Sequence, residues 1–237
     1  MRSVGRLLTS LGVGLGLVTS AVGLTPGTSS AAADDTTHIN VNNISCVVSN
    51  LGSYGYDRSS QQVGLEWPRG SGHSLLFAAG LWVGARINSQ TQPTVKAAEY
   101  ARQWGPGPII GDTSAADGPT FRVYKIRRGD TPQSNLDYAN WPAALGAPVD
   151  ESGNPRLLGD QTLWCLFNDR SRLAQRSQVG THGIVPDSSL GLEVQQTVYG
   201  FSATGSLNNV VYLKWRLINK GHNQLHDAYV SCWADPD

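Results

Sequence analysis

Between residues 210 and 218 the chain alternates strictly. Val211, Leu213, Trp215 and Leu217 fall on one side, and Tyr212, Lys214 and Arg216 on the other. A period of two is what a half-buried strand requires, because successive side chains point to opposite faces of a sheet. Residues 192–201 and 228–233 have similar β composition. Short Gly/Asn/Ser turns at 202–209 and 219–227 separate the three stretches. The spacing predicts an antiparallel meander that forms one wall of an all-β domain.

Upstream the pattern recurs. Residues 39–48 read as a first strand on Ile39, Val41, Ile44 and Val47. In residues 75–87, Phe77, Ala79, Leu81, Val83, Ala85 and Ile87 share one face, and Gly80, Trp82, Gly84 and Arg86 the other. Glycines inside a strand mark a bulge or a close backbone approach. Strands are also predicted over 95–104, where good helix formers compete, over 120–126 and over 162–167. Two stretches lack periodicity: residues 129–160, rich in Pro, Asn, Asp and Gly, and the polar loop 168–189. Loops that long are often functional or mobile. Charged residues make up only 15% of the 237, with 27 Gly and 12 Pro. That balance suits strands and turns better than a helical bundle. The expected fold is a mostly antiparallel β-sandwich with long loops, jelly-roll-like in one version, over residues 34–237 as one domain.

The first 33 residues read as an export signal. Arg2 and Arg6 precede an uncharged apolar run over 7–24, and Ala31, Ala32 and Ala33 supply small residues for cleavage. Its Gly, Ser and Thr content makes retention as a membrane anchor the lesser reading. No later stretch is apolar enough to span a bilayer. Without Arg2 and Arg6, 18 basic and 18 acidic residues become 16 against 18, a net of −2. That charge gives no basis for a nucleic-acid partner. Of the odd set Cys46, Cys165 and Cys232, Cys46 and Cys232 could pair; the preferred expectation is three small buried apolar side chains.

Few motifs carry chemistry. Asp235 and Asp237 place two carboxylates where a calcium loop could begin, with Asp169 or the turn at Asp150 as further donors; calcium is thus the one cofactor in view. Calcium takes six to eight oxygens, and the alternative is turn residues that bind backbone amides. His222 and His226 have the spacing of a metalloprotease helix but lack its Glu and lie between strands. Arg128-Gly129-Asp130 matches an adhesion tripeptide and equally a polar turn. No nucleophile elbow or phosphate loop is present after the leader. Among seven tryptophans, Trp82, Trp164 and Trp215 sit in strands and are expected to be core or half-buried. Trp67, Trp104 and Trp141 abut Pro or Gly and are the candidates for surface aromatics that stack on sugars. Glu66 and Glu193 are the conceivable glycosidase pair.

Several segments together carry a likeness: Gly80-Leu81-Trp82-Val83-Gly84, Gly105-Pro106-Gly107-Pro108, Tyr138-Ala139-Asn140-Trp141-Pro142 and Gly159-Asp160-Gln161-Thr162-Leu163-Trp164. Gly191-Leu192-Glu193-Val194-Gln195-Gln196, Leu217-Ile218-Asn219-Lys220-Gly221 and Trp233-Ala234-Asp235-Pro236-Asp237 extend it over nearly all of the mature chain. In these the chain resembles the N-terminal region of an uncharacterised group of large bacterial secreted or cell-surface β-rich proteins. The resemblance implies an extracellular or surface destination, and members often add further β modules and a C-terminal sorting segment. It supplies no reaction. In that group the Asp-Pro-Asp segment runs on into further strands, so a stop at Asp237 implies a truncated product with its last strand left as an edge. The function expected is a non-enzymatic structural or interaction module whose partners are other surface proteins. The alternative is a carbohydrate-binding or carbohydrate-active module with glycan partners.

Overall fold

The computed structural model describes residues 34–58, 60–99, 103–111, 113–114, 120–170 and 189–236. In chain order the strands are β1 (Thr36–Ile39), β2 (Ser45–Ser49), β3 (Ser53–Tyr54), β4 (Tyr56–Asp57), β5 (Gln62–Val63), β6 (Leu65–Glu66), β7 (Ser74–Ile87) and β8 (Thr94–Ala97). Then come β9 (Gly105–Pro106), β10 (Ile109–Ile110), β11 (Thr113–Ser114), β12 (Tyr124–Arg127), β13 (Gln161–Asn168), β14 (Leu192–Gly200), β15 (Val211–Asn219) and β16 (Leu225–Pro236). Among the described residues the one α-helical turn is α1 (Leu136–Ala139). The fold is all-β, with antiparallel sheets packed as a sandwich. Among the described residues no helix is long and apolar enough to cross a membrane.

The first sheet runs β1-β2-β3-β7-β16, with β6 beside β2 and β7, and β8 beside β7. The second runs β12-β13-β14-β15, with β9 on β13. Strand β7 is the hinge of the first sheet. One of its edges takes β6 at Ser74 and Leu76, β3 at Ala79 and Gly80, and β8 from Trp82 to Ala85. The other takes β16 from Leu76 to Ile87. Ala79, Leu81, Val83, Ala85 and Ile87 are all buried on its inner face, as the alternation predicts. Phe77, expected in the same row, is not, because a register shift between Leu76 and Ala78 puts Leu76 against the core and leaves Phe77 half-buried and stacked on Tyr56. They meet Leu163, Cys165 and Phe167 of β13 and Leu192, Val194 and Val198 of β14 in the interlayer core.

The glycines on the outer face of β7 have the role the pattern predicts for at least one of them. A Cβ on Gly80 would stand 1.9 Å from the Ala98 carbonyl oxygen. The Ala98 amide donates to the Leu81 carbonyl at 3.0 Å, so backbone approaches backbone here and no side chain can yield.

Three expectations are corrected. Residues 39–48 are not one strand but the end of β1, a turn and most of β2, paired antiparallel with Ile39 opposite Cys46. The turn forms because the Asn42 side-chain oxygen accepts from the Ile44 amide at 3.0 Å, an Asx-type bond that competes with the sheet ladder. Second, the three C-terminal strands do not form a meander. β14 and β15 pair, but β16 crosses to the first sheet and pairs with β7. Asn88, just past the end of β7, captures the entry to β16: its amide donates to Gln224 O at 2.8 Å, and its side-chain oxygen accepts from the Gln224 amide at 2.9 Å. Third, the excursion over 129–160 is an ordered cover on the outer face of the second sheet. It supplies Trp141 and Ala147 to a second core with Tyr124, Ile126, Trp164 and Leu166. Strand β13 is therefore buried on both faces along its whole length.

Replacing Gly80 by Ala is expected to lower the thermal unfolding midpoint far more than Gly84→Ala, whose Cβ would meet the Val95 methyl Cγ2 at 3.2 Å as its nearest neighbour. Overpacking costs about 1–3 kcal/mol, and a fixed carbonyl puts Gly80→Ala at the upper end. Scanning calorimetry of the two variants checks the ranking; equal losses would contradict it.

Candidate functional site

The residues singled out from the sequence do not converge. Trp67 is 39% exposed, as expected of a surface aromatic, and its indole N–H donates to the Asn209 side-chain oxygen at 2.8 Å. Trp104 and Trp141, predicted at the surface, are buried at 1% and 9% exposure. Trp104 packs edge-on against Phe167 with ring centroids 5.4 Å apart, inside the interlayer core. Trp141 packs edge-on against Tyr124 at 6.2 Å and donates to Pro148 O at 2.9 Å, roofed by the excursion. Pro142 does open a short helical turn, one that folds inward over apolar surface. Gly105 and Pro106 instead form β9, and their pairing with Asn168 and Phe167 of β13 carries Trp104 into the core. Trp164 is buried, and Trp82 and Trp215 are half-buried, as the strand pattern predicts.

Asp235 lies within β16 opposite Ala78, and Asp237 lies outside the described residues. The further acids considered for calcium are engaged by backbone amides. Asp150 accepts from the Ser152 and Asn154 amides, both at 2.9 Å. Asp169 is buried and accepts from the amides of Leu190, Gly191 and Leu192 and from the Ser189 hydroxyl. Burial pushes the Asp169 carboxyl up, while the charge of Lys96 and these donors pull it down. No group of three or more His, Cys, Asp or Glu able to hold a metal occurs among the described residues.

Glu66 and Glu193 stand on different sheets. Glu66 accepts from the Gly72 amide at 2.6 Å, and the Gly70 and Gly72 amides hold its carboxyl below the ordinary range. Glu193, 1% exposed, accepts from the Ile109 amide at 3.0 Å and pairs with Lys220 at 2.7 Å. His222 is in the turn before β16 and His226 is inside it, so the two do not share a helix face. In the adhesion-like tripeptide, Arg128 donates to Asp160 at 2.6 Å, and Asp130 accepts from the Arg127 amide at 2.6 Å, closing a turn.

The edge expected at the last strand borders something the sequence did not announce, an uncovered seam. The inward residues of β15, Val211, Leu213, Trp215 and Leu217, pack against the core yet remain only half-buried. On β16, Val230 and Cys232 pair with the core residues Val83 and Leu81 and so face inward, but both are exposed, Val230 at 56%. The second sheet does not extend beneath them. Among the described residues each strand is the terminal one of its sheet, so two edges without a paired strand border this seam. Behind it, Val211 and Leu213 bound an apolar recess of about 200 Å³ together with Cys46, Tyr54, Leu65 and Val198. Strict alternation flags β15 as half-buried, but no local signal says that its buried half lacks a full cover.

All three cysteines are free thiols. Cys46 and Cys165 are buried as expected, and burial pushes each thiol up to about 12. Cys232 corrects the third expectation: it is exposed, with its sulfur 2.8 Å from the Tyr54 hydroxyl. Since the thiolate is the reactive form and must be reached by reagent, iodoacetamide is expected to label Cys232 alone in the native chain. Labelling of Cys46 and Cys165 should require denaturant, and peptide mass spectrometry distinguishes the two patterns.

Comparison with protein-family models, with curated proteins and with solved structures finds no match for this chain.

Proposed function

We propose that the chain is a non-enzymatic interaction module of an exported, surface-associated protein, and that it engages a neighbouring polypeptide by strand addition along the seam between β15 and β16. The observation that carries this reading is the inward face of β16, apolar at Val230 and exposed, beside two unpaired strand edges. An unpaired edge presents a row of free N–H and C=O groups. On β15 the exposed Lys214 and Arg216 guard that row, whereas β16 carries no charged side chain from Ala228 to Ala234 and is the edge open to another strand. An added strand gains main-chain hydrogen bonds from the edge and specificity from pockets for alternate side chains. The recess behind Val211 and Leu213 offers such a pocket. The occupant that fits is an extended segment with small apolar residues at every second position. The leader over residues 1–33 and the resemblance to secreted β-rich proteins support the export part of the reading.

Cys232 makes the reading testable, because its thiol lies on the seam-facing side of β16. Peptides of alternating valine and threonine, each with one cysteine moved stepwise along the sequence, would be incubated with the chain in a glutathione redox buffer. Strand addition predicts mixed-disulfide yields that rise and fall with a period of two, because alternate side chains face away from the seam. The Val230→Lys variant is expected to suppress trapping, since a charge on an edge strand opposes pairing. Trapping independent of cysteine position sinks the reading.

A further inference from the structure

We propose that the outer face of the first sheet carries a binding groove for a neutral glycan, formed by Trp82, Gly84, Arg86, Asp227, Tyr229 and Ser231. The groove holds about 500 Å³, within the range of small-ligand sites. Its floor follows from the register. Gly84 lies opposite Tyr229, and Trp82 opposite Ser231, so these side chains share the outer face. Because Gly84 has no side chain, the space between the Trp82 indole and the Arg86 guanidinium stays open. Trp82 is stacked on Trp233, with ring centroids 6.1 Å apart and an interplanar angle of 14°, which steadies one wall. Tyr229 is 75% exposed and supplies a second aromatic surface.

The polar end of the groove is built by a bulge. Asp227 and Ala228 together stand opposite Ala85 where a regular ladder would place one residue, and Asp227 has a left-handed φ of 50°. Asp tolerates that conformation better than most residues, and bulges re-aim side chains beside binding sites. Here the bulge brings the Asp227 carboxylate onto Arg86, whose Nε donates to it at 2.9 Å. Both side chains remain solvent-accessible, at 42% for Arg86 and 60% for Asp227.

These features select a ligand class. The aromatic walls suit the flat C–H face of a pyranose ring. A donor beside an acceptor suits neighbouring hydroxyls, each of which can both donate and accept. The ion pair neutralises itself, so a charged ligand gains no net attraction. A wholly apolar ligand would strip water from two charges and return nothing. A neutral polyhydroxylated ring meets all three conditions. The site lies on the face of β16 opposite Val230 and Cys232, so it stands or falls independently of strand addition at the seam.

The test is a titration of the full chain, followed by tryptophan fluorescence and thermal midpoint, with cellotetraose, xylotetraose, mannotetraose and chitotetraose as neutral probes and oligogalacturonate as an acidic one. At least one neutral probe is expected to shift both readouts. Tyr229→Ala should weaken its binding about tenfold or more, the scale of losing one aromatic contact. Asp227→Gly removes the carboxylate and suits the left-handed backbone, so it should fold normally and bind about tenfold more weakly or worse. Val230→Lys, on the opposite face, should bind as the wild type does. No shift with any neutral probe, preference for oligogalacturonate, or binding that survives both Tyr229→Ala and Asp227→Gly overturns the proposal. Self-association abolished by Tyr229→Ala, without glycan binding, assigns the groove to protein docking and overturns it as well.

Discussion

The first sheet depends on the close approach of two backbones at Gly80. That glycine lets the Ala98 carbonyl lie where any side chain would collide with it. Leu81 can then use its own amide and carbonyl with Gly52 and Ala98. With that contact made, β7 accepts three short strands along one edge and β16 along the other, and its inner row meets β13 and β14. The outer row inherits the opposite character: two glycines, one indole and one guanidinium, with little bulk between them. The same alternation that builds the core therefore leaves an open floor outside it.

Buried polar groups join the apolar core in holding the sandwich together. Asp169 gathers three consecutive backbone amides at the start of β14, and Glu193 binds the Ile109 amide and Lys220. Gln196, fully buried, accepts from the Trp215 indole at 2.7 Å and donates across the sandwich to Ser49 O at 3.4 Å. Each buried donor or acceptor left alone would cost about 1–3 kcal/mol, so Asp169 and Glu193 are the condition for turning the chain at their places, while Gln196, in the middle of β14, ties the two sheets together. Acids of this kind look like ligands in a sequence and act as caps in the fold.

Much of the fold was legible because strands alternate locally. The row on β15 and, from Ala79 onward, that on β7 could be written from the sequence alone, and the glycine at position 80 signalled its close contact. Phe77 was misplaced because the register shift beside it leaves no local mark. What could not be read was decided by distant segments. Trp141 looks like a turn residue until the excursion it belongs to is seen folded onto Trp164. Residues 39–48 look continuous, yet Asn42 turns the chain with its own side chain, a signal that was present and outweighed by the apolar count. The partner of β16 was hidden because pairing depends on Asn88, more than 130 residues away in the chain. The groove was hidden for a related reason: Trp82 and Tyr229 become neighbours only through that pairing.

The bulge on β16 has a consequence for how this strand tolerates changes in length. Leu225, before it, faces the sandwich, and so do Val230 and Cys232 after it, so odd and even positions exchange roles at residues 227 and 228. The extra residue is a spacer between two stretches of opposite phase. Taking one residue out at 227 or 228 would leave every later partner on β7 in place. Adding one between Tyr229 and Trp233 would turn the rest of the strand inside out, unless a second bulge absorbed it. Insertions and deletions in this strand are therefore not equivalent: it can lose a residue at the bulge and keep its faces, and it cannot gain one beyond the bulge on the same terms.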